Sequence, residues 1–560
     1  MTASWAALVA IDLVGRAGFL LPRLETLRGL CNYAAASLAL WIVLRLVVMA
    51  RPRPRVALFA ALVAAPMAIQ WGMFRAYGQF VEPTDLVELA DSPRVALSAI
   101  ATGAGTYGIG ALFVGLLAMA CAWLLPRDAR PLRARWAVPA SAALTLSFAL
   151  GASYWRASPT LEHSQPAFGC TIAGVLHRAT VLSRTGAHVS VPPMPSPAPR
   201  PNIVLIVGES LAASHLGLYG YARDTSPRLQ ALADGHELVA FRDATVMGPN
   251  TRTSVPYILT GLEGPDAGGR IFRAPTVIEY AKARGYHTAF ISAQEESWGN
   301  FDVLFREGAD TFRTGIEFAA DVDVMRGADD LAVLESAKGV LPTLRSLPEP
   351  FFVVLHMNGS HAPYASHSPA SRKIFLPEDG VNSVNAYDNT VRVTDEYVAR
   401  VFEALRARDP EAWMFFTSDH GQALGEGGAF FNHGYQSNVV RDPLLLFPPR
   451  SEPFARYLSM QDAQVAACDL APTLLHLMNA APVAPMDCDD WMVAPPPPRV
   501  RVVSAYTPTY VDEPTLLVVL PNGQRELFDL GRGTVVRGDG AVRRSSDVAL
   551  PPEVASRLAQ

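Results

Sequence analysis

Apolar residues are concentrated before residue 155, and this uneven distribution constrains the fold more than any other feature. A helix needs roughly 20 apolar residues to cross a lipid bilayer. Asp12 and Arg16 interrupt the first candidate, but four residues apart they can pair on one helix face. A signal peptide is the alternative there, although a charged start and a clear cleavage site are lacking. We predict a membrane domain of about five helices over residues 1–155, at 5–22, 29–50, 56–76, 106–125 and 136–155.

Charges in the predicted loops indicate how this domain is oriented. Arginines follow the second and fourth candidate helices, at residues 51, 53, 55, 127, 130, 133 and 135. Acidic residues follow the third, at 82, 85, 88 and 91. Because basic loops stay in the cytoplasm, we expect everything beyond residue 155 to lie outside, which in a bacterium is the periplasm. The net charge of −5 argues against nucleic acid as a partner.

Residues 156–200 read as a connector that ends in a proline-rich linker at 191–199. Beyond it, short apolar strands alternate with helices, which is typical of a largely parallel sheet covered by helices on both faces. We therefore predict an α/β exported domain over residues 201–560, with a late hairpin formed by 516–520 and 526–530. The other predicted elements are strands at 203–207, 287–292, 351–356, 413–418, 443–447 and 500–504 and helices at 276–284, 386–408 and 470–478.

Two of the predicted strands end in residues that can bind a metal ion. Asp419 and His420 follow the strand at 413–418, and Glu209 follows the strand at 203–207. In open α/β sheets ligands bind at the carboxyl edge of the strands, and oxygen together with nitrogen ligation suits Zn²⁺. Taken singly, each feature has a structural alternative, since such residues also cap loops and helix starts.

A hydroxyl-rich segment at residues 250–256 precedes an apolar helical run. A hydroxyl at a helix start faces free backbone N–H groups and the positive end of the helix dipole, where an alkoxide or a phosphate ester is stabilised. Plain N-capping by Thr251, Thr253 or Ser254 is the alternative. Two loop histidines, His361 and His433, follow predicted strand ends or a glycine-rich loop and could join the same site.

The five cysteines divide between the two parts of the chain. Cys31 and Cys121 fall in apolar stretches, where packing is the expected role. In the exported part oxidation can occur, and we expect Cys468 and Cys488 to pair, which leaves Cys170 single.

Taken in order, these segments resemble the lipid A phosphoethanolamine transferases of the alkaline phosphatase/sulfatase superfamily. The matching motifs are 208–210, 219–227, the segment from Thr251 to Pro256, 359–361, 418–421 and 433–434. The resemblance implies an alkaline phosphatase-like fold with one Zn²⁺, or two, in which Glu209, Thr251, Asp419 and His420 hold the metal. It further implies that Thr251 is the nucleophile, and that His361 and His433 contact the phosphoryl group or a second metal.

Some positions depart from the family pattern. Met247 and Tyr257 stand where cysteines commonly flank the nucleophile, and Gln422 stands where a glutamate is common. Residues 211–213 replace a more polar stretch, and the part beyond about 480 matches nothing that we recognise. A sulfatase would need Cys or Ser followed by x-Pro-x-Arg, and the segment that starts at Ser254 has no such arginine. Sulfate hydrolysis is therefore disfavoured.

The resemblance implies a multi-pass enzyme of the bacterial inner membrane with its catalytic domain in the periplasm. It would transfer phosphoethanolamine from phosphatidylethanolamine to lipid A or another glycan through a phospho-threonine intermediate. The alternatives are a phosphoglycerol transferase acting on a periplasmic or surface glycan, a phosphodiesterase of the same superfamily, and a catalytically silent membrane partner. The expected partners are thus a membrane phospholipid and a glycan acceptor.

Overall fold

The structure is a computed structural model that describes parts of the N-terminal region and most of the chain beyond residue 188. The described residues are 2–15, parts of 33–71, 108–125 without 109, 188–195, 198, and 200–559 with gaps at 267, 297–300, 320–321, 323–326, 381–382, 427–428, 433, 506–514, 531–532, 538–541 and 545–547. The chain divides into two compact units. One contains residues 1–184 and 509–514, and the other contains 185–508 and 515–560.

The first unit is helical wherever it is described. Helix α1 spans Thr2–Gly15, and helix α2 spans Pro52–Phe59 and continues into a π-helical turn at Ala60–Ala64. Helical residues 110–120 run into a 3₁₀ turn at Cys121–Leu124. A small apolar core holds these pieces together, and it includes Leu8, Leu44, Phe59, Val63 and Ala118.

The predicted membrane spans are only partly covered by this description. Among the described residues, no helix has both the length and the apolar character needed to cross a bilayer. The span at 136–155 and the connector up to residue 187 lie outside the described residues, as do most of the span at 29–50 and the loops around 82–91 and 127–135. The five-span arrangement and its orientation therefore remain predictions.

The second unit is built around a seven-stranded sheet. Its strands are β1 (Ile203–Gly208), β2 (Val239–Ala240), β4 (His287–Ser292), β5 (Thr311–Arg313), β6 (Phe351–His356), β7 (Trp413–Ser418) and β10 (Leu445–Phe447). Their order across the sheet is β2-β10-β7-β1-β6-β4-β5. The five strands from β7 to β5 pair in parallel, while β10 pairs antiparallel with both of its neighbours. The predicted, largely parallel sheet is confirmed.

Both faces of this sheet are buried, as the apolar strands require. In β1, Ile203, Leu205 and Val207 belong to one core cluster, while Val204 and Ile206 belong to the other. Helices cover the two faces. The helices of this unit are α3 (Pro227–Asp234), α4 (Thr251–Thr260), α5 (Val277–Ala283), α6 (Phe301–Arg306), α7 (Asp330–Glu335), α8 (Val340–Ser346), α9 (Val384–Arg408), α10 (Ser437–Val440), α11 (Phe454–Leu458), α12 (Leu470–Met478) and α13 (Pro552–Ala559).

A second sheet, entirely antiparallel, is formed by the C-terminal part of the chain beyond residue 500. Its strands follow one another in the order of the chain. They are β12 (Arg501–Ser504), β13 (Thr515–Val519), β14 (Arg525–Asp529), β15 (Thr534–Arg537) and β16 (Val542–Arg544). The predicted hairpin is confirmed as the β13–β14 pair. The strand predicted at 500–504 belongs to this sheet and not to the central one, since a short apolar strand does not reveal its partner.

Four short strands remain, and one disulfide closes a loop beside them. They are β3 (Asp243–Thr245), which pairs with β11 (Gln464–Ala466), and the small hairpin of β8 (Ala423–Leu424) with β9 (Phe430–Phe431). Cys468 and Cys488 form the predicted disulfide, with their Cα atoms 5.9 Å apart. Cys121 is free and buried, and Cys31 and Cys170 lie outside the described residues.

Candidate active site

The register of the central sheet brings the predicted site residues to one edge. Gly208 at the end of β1 pairs with Ser418 at the end of β7, so Glu209 and Asp419 emerge side by side. On the other side of β1, Val207 pairs with His356, the last residue of β6. Parallel strands that end at the same level place their following loops around one point.

Two carboxylates and one imidazole converge at this edge of the sheet. One ligand atom each from Glu209, Asp419 and His420 lies within 4.8 Å of the others, and all three residues are buried. His420 Nε2 is 3.2 Å from Asp419 Oδ2 and 3.7 Å from Glu209 Oε1. The other ring nitrogen, Nδ1, lies 2.8 Å from the Gly421 carbonyl, so Nδ1 carries the proton and Nε2 presents its lone pair to the carboxylates.

Thr251 completes this group from the start of helix α4. Its Oγ1 lies 3.1 Å from Glu209 Oε2, to which it donates, and 3.3 Å from His420 Nε2. Thr251 is 5% exposed, so the hydroxyl is nearly closed off from bulk solvent. The structure therefore brings Glu209, Thr251, Asp419 and His420 together at one point.

The alternative of a capping role for Thr251 is wrong. Asn250 is the N-cap of α4, and its side-chain oxygen accepts from the Thr253 backbone N–H at 3.1 Å. The Thr253 hydroxyl donates back to Asn250 at 3.0 Å, and Ser254 Oγ accepts from the Met247 N–H at 3.4 Å. Thr251 is the first residue of the helix, so its hydroxyl is left to the acidic cluster.

The two buried carboxylates of the cluster lie so close together that the charge of one affects the pKa of the other. Burial raises the pKa of Asp419 well above its ordinary value, and the neighbouring charge of Glu209 raises it further. Burial also raises the pKa of Glu209, but interactions with the imidazoles of His420 and His361 and with the Ser210 hydroxyl outweigh it and lower that pKa to about 2. Two adjacent buried carboxylates cannot both ionise cheaply without a cation.

The residues present fit a divalent metal ion. Asp419 Oδ2 is buried and has no hydrogen-bond donor among the described residues. A buried carboxylate oxygen without a donor, close to a second carboxylate and to an imidazole lone pair, is the environment that a metal ion satisfies. Two carboxylates, one imidazole and one hydroxyl form an oxygen and nitrogen set that suits Zn²⁺.

A second layer of buried side chains, which the sequence did not reveal, supports Glu209. Gln294 Nε2 donates to Glu209 Oε2 at 3.0 Å and to the Met357 carbonyl at 2.8 Å. His356 lies 3.3 Å from Gln294 and pairs through Nδ1 with Glu296 at 2.7 Å. Burial lowers the pKa of His356, but the Glu296 carboxylate outweighs it and raises that pKa to about 8. In the sequence, these residues could have been identified as site candidates because they follow β4 or end β6, at the same edge of the sheet as Glu209.

The two predicted histidines have different outcomes. His361 is partly buried, lies near enough to Glu209 to lower its pKa, and places Nδ1 2.6 Å from the Ala362 carbonyl. His433 lies outside the described residues. Its neighbour Asn432 reaches the cluster, with Nδ2 3.2 Å from His420 Nε2. The proposed role of His433 therefore remains a prediction.

The departures from the family pattern are accommodated in the core. Met247 and Tyr257, which stand in place of cysteines, are both fully buried in the same apolar core cluster. Gln422 donates to the Tyr364 hydroxyl at 2.8 Å. None of these three side chains replaces a member of the acidic cluster, which is complete.

Comparison with known proteins places this chain in a family. Over 298 residues the chain is 27% identical to the Kdo(2)-lipid A phosphoethanolamine 7''-transferase of Salmonella typhimurium, covering 50% of this chain and 48% of that protein. Over 256 residues it is 26% identical to phosphatidylethanolamine transferase Mcr-1 of Escherichia coli, covering 41% and 44%. The chain thus spans about half the length, or less, of these curated relatives.

A solved structure shares the fold. It is the integral membrane protein lipooligosaccharide phosphoethanolamine transferase A (EptA) from Neisseria meningitidis, with a TM-score of 0.56 at 18% identity, covering 85% of this chain and 95% of that one. The resemblance to lipid A phosphoethanolamine transferases is confirmed by these matches. Residues 201–480, half of the chain, match the sulfatase family. The chain therefore belongs to the sulfatase family.

Proposed function

We propose that this protein is a membrane-anchored, zinc-dependent transferase that moves phosphoethanolamine from phosphatidylethanolamine to lipid A or a related glycan. The observation that carries the proposal is the position of Thr251 Oγ1, 3.1 Å from Glu209 and 3.3 Å from His420 at the start of a helix. A nucleophile in that position faces a candidate metal centre and lies at the positive end of the helix dipole.

Glu209, Thr251, Asp419 and His420 would hold the zinc ion. Bound there, it would lower the pKa of the Thr251 hydroxyl and neutralise the oxygens of the phosphodiester. The protein's own contribution is to orient the hydroxyl. The carboxylate of Glu209 accepts from it, and the Asn250 cap fixes the helix turn from which it projects.

The first half of the reaction transfers the head group to the protein. The Thr251 oxygen forms a bond to phosphorus, and the bond between phosphorus and the diacylglycerol oxygen breaks. The hydroxyl proton ends on the departing oxygen, and His361 is the side chain that we expect to carry it. In the second half, an acceptor hydroxyl forms a bond to phosphorus, the bond between phosphorus and the Thr251 oxygen breaks, and the acceptor's proton ends on that oxygen to restore the Thr251 hydroxyl.

Support for the choice of head group and acceptor comes from the relatives. Two of them are named as transferases of phosphoethanolamine or phosphatidylethanolamine, one of them on Kdo(2)-lipid A. A membrane anchor before residue 155 would hold the site in the same plane as a lipid donor and a lipid-linked acceptor. That confinement raises their effective concentration.

The test compares two head groups and two threonines. Detergent-purified full-length protein receives phosphatidylethanolamine or phosphatidylglycerol, each labelled in the head group. We expect diacylglycerol release from the first lipid and a labelled phosphate on Thr251, located by peptide mass spectrometry. Thr251→Ala should abolish the label by removing the nucleophile. Thr253→Ala, on the same helix turn, is the matched control that should keep it.

Each other result selects a different function. Turnover of phosphatidylglycerol alone would assign the phosphoglycerol reaction. Release of phosphoethanolamine to water without an acceptor, at the full rate, would assign a phosphodiesterase. A label that persists in Thr251→Ala and disappears in Thr253→Ala would move the nucleophile to Thr253. Protein that turns over neither lipid, with zinc supplied, would be catalytically silent.

A further inference from the structure

Ser210, the residue after Glu209, contacts both carboxylates of the acidic cluster. Its hydroxyl donates to Glu209 Oε1 at 2.6 Å, and its backbone N–H donates to Asp419 Oδ1 at 2.9 Å. Ser210 is 1% exposed. One residue thus orients two side chains that follow two different strands.

The backbone of Ser210 has to be held in place to do this. Its φ of +56° lies in the left-handed region, which costs a residue other than glycine roughly 1 kcal/mol or more. Such a conformation persists only when surrounding contacts determine it. Those contacts should therefore be identifiable around residues 209–212.

Tyr387, near the start of helix α9, supplies the principal contacts. Its hydroxyl donates to the Ser210 carbonyl at 2.7 Å and accepts from the Ala212 N–H at 2.8 Å. The ring is fully buried and meets Tyr364 edge-on, with ring centroids 5.2 Å apart. One phenol thus closes the strained turn from both sides.

The next turn of α9 fixes the other end of the same segment. The Thr390 hydroxyl lies 2.8 Å from Ser360 Oγ, and the Ser360 N–H donates to the Glu209 carbonyl at 2.9 Å. Gly359 packs so closely that a Cβ there would lie 2.7 Å from that carbonyl oxygen. Glu209 is thus held through its backbone as well as through its side chain.

We propose that Tyr387 and Ser210 are positioning residues that hold Glu209 and Asp419 in the geometry needed to bind the metal. Neither residue touches the reacting oxygen of Thr251 in this arrangement. The inference rests on the proposed function, since it takes the cluster to be a zinc site. Residues that orient metal ligands commonly matter by about 10- to 100-fold in metal affinity or activity.

The first experiment removes a single hydroxyl. Zinc affinity of the full-length protein, measured by competition with a chelating dye, should fall by about 10- to 100-fold in Tyr387→Phe. Tyr397→Phe is the matched control. Tyr397 is 2% exposed on the same helix, ten residues and about 15 Å further along its axis, and its variant should bind zinc as the wild type does.

The second experiment separates the Ser210 hydroxyl from the strain at its backbone. Ser210→Gly accepts a positive φ without cost, so the variant should fold, yet it loses the donor to Glu209. We expect its zinc affinity to fall as it does in Ser210→Ala. Wild-type affinity in both Ser210→Gly and Tyr387→Phe would overturn the positioning role alone. A wild-type protein that binds no zinc would instead overturn the proposed function, and the two failures are thereby distinguished.

Discussion

At the scale of single residues, two neighbours at the start of α4 have separate tasks. The Asn250 side chain accepts from the Thr253 N–H at the start of the helix, and Thr251 is left to face Glu209 and His420. A cap made by the residue before Thr251 keeps the Thr251 hydroxyl free of a capping hydrogen bond. This separation explains how a short hydroxyl-rich segment can serve both the fold and the chemistry.

The capping role predicts a loss of stability that is independent of the chemistry. Asn250→Ala should lower the free energy of unfolding by about 1 kcal/mol, because the Thr253 N–H loses its acceptor. Thr253→Ala keeps the backbone hydrogen bond and should cost less. Urea denaturation of the purified protein measures both. A larger loss in Thr253→Ala than in Asn250→Ala would contradict the assignment of the cap.

At the scale of elements, helix α9 connects the site to the rest of the second unit. Its residues 387–390 each contact a different segment. Tyr387 reaches the turn after β1, and Asp388 accepts from Arg223 at 2.7 Å and from Tyr221 at 3.0 Å. Asn389 accepts from the N–H groups of residues 374 and 375, each at 3.0 Å. Residues 387–390 thus join four separate segments of the second unit, although they lie far along the chain from Glu209.

The same helix also caps a neighbouring one, and this contact depends on pH. Asp395 of α9 accepts from the N–H groups of Leu229 at 2.8 Å and Arg228 at 3.1 Å, at the start of α3. Burial raises the pKa of Asp395 to about 6, although the two N–H groups act in the opposite direction. The folded chain therefore binds this proton more tightly than the unfolded chain, whose aspartate pKa is about 3.9.

The raised pKa of Asp395 makes the protein less stable as the pH rises. The contribution of Asp395 to stability is fully present below about pH 4 and is lost as the pH rises through about 6. Asp395→Asn does not titrate, so its stability relative to the wild type should improve with pH, by about 3 kcal/mol at most between pH 4 and pH 7. Denaturation curves at several pH values measure this difference. A difference that stays constant, or that moves the other way, would contradict the raised pKa.

The elements also show what the sequence could and could not predict. Four apolar strands ended where predicted or within one residue of it, because a fully buried strand leaves a clear contrast with its polar loop. The members of the acidic cluster at those strand ends followed from this. Gln294 and Tyr387 did not, since their contacts depend on the register of β4 and on the rotation of α9. A local sequence pattern reveals neither the register of a strand nor the rotation of a helix.

At the scale of the whole molecule, the chain joins two units with different compositions. The first holds the apolar stretches and the second the catalytic candidates. The second unit buries both faces of its central sheet and carries an additional antiparallel sheet beyond residue 500. The α/β fold of the second unit brings Glu209, Asp419 and His420 together at one edge of its central sheet.

The central claim is that Glu209, Thr251, Asp419 and His420 form one zinc centre around the nucleophile. X-ray diffraction from zinc-supplied crystals, recorded on both sides of the zinc absorption edge, tests it most directly. We predict an anomalous peak within about 2.0–2.2 Å of the four ligand atoms, the distance expected for zinc bound to oxygen and nitrogen. Crystals that show no peak at this cluster, or that bind zinc only at the group of His188, Glu279 and Glu307, would contradict the claim.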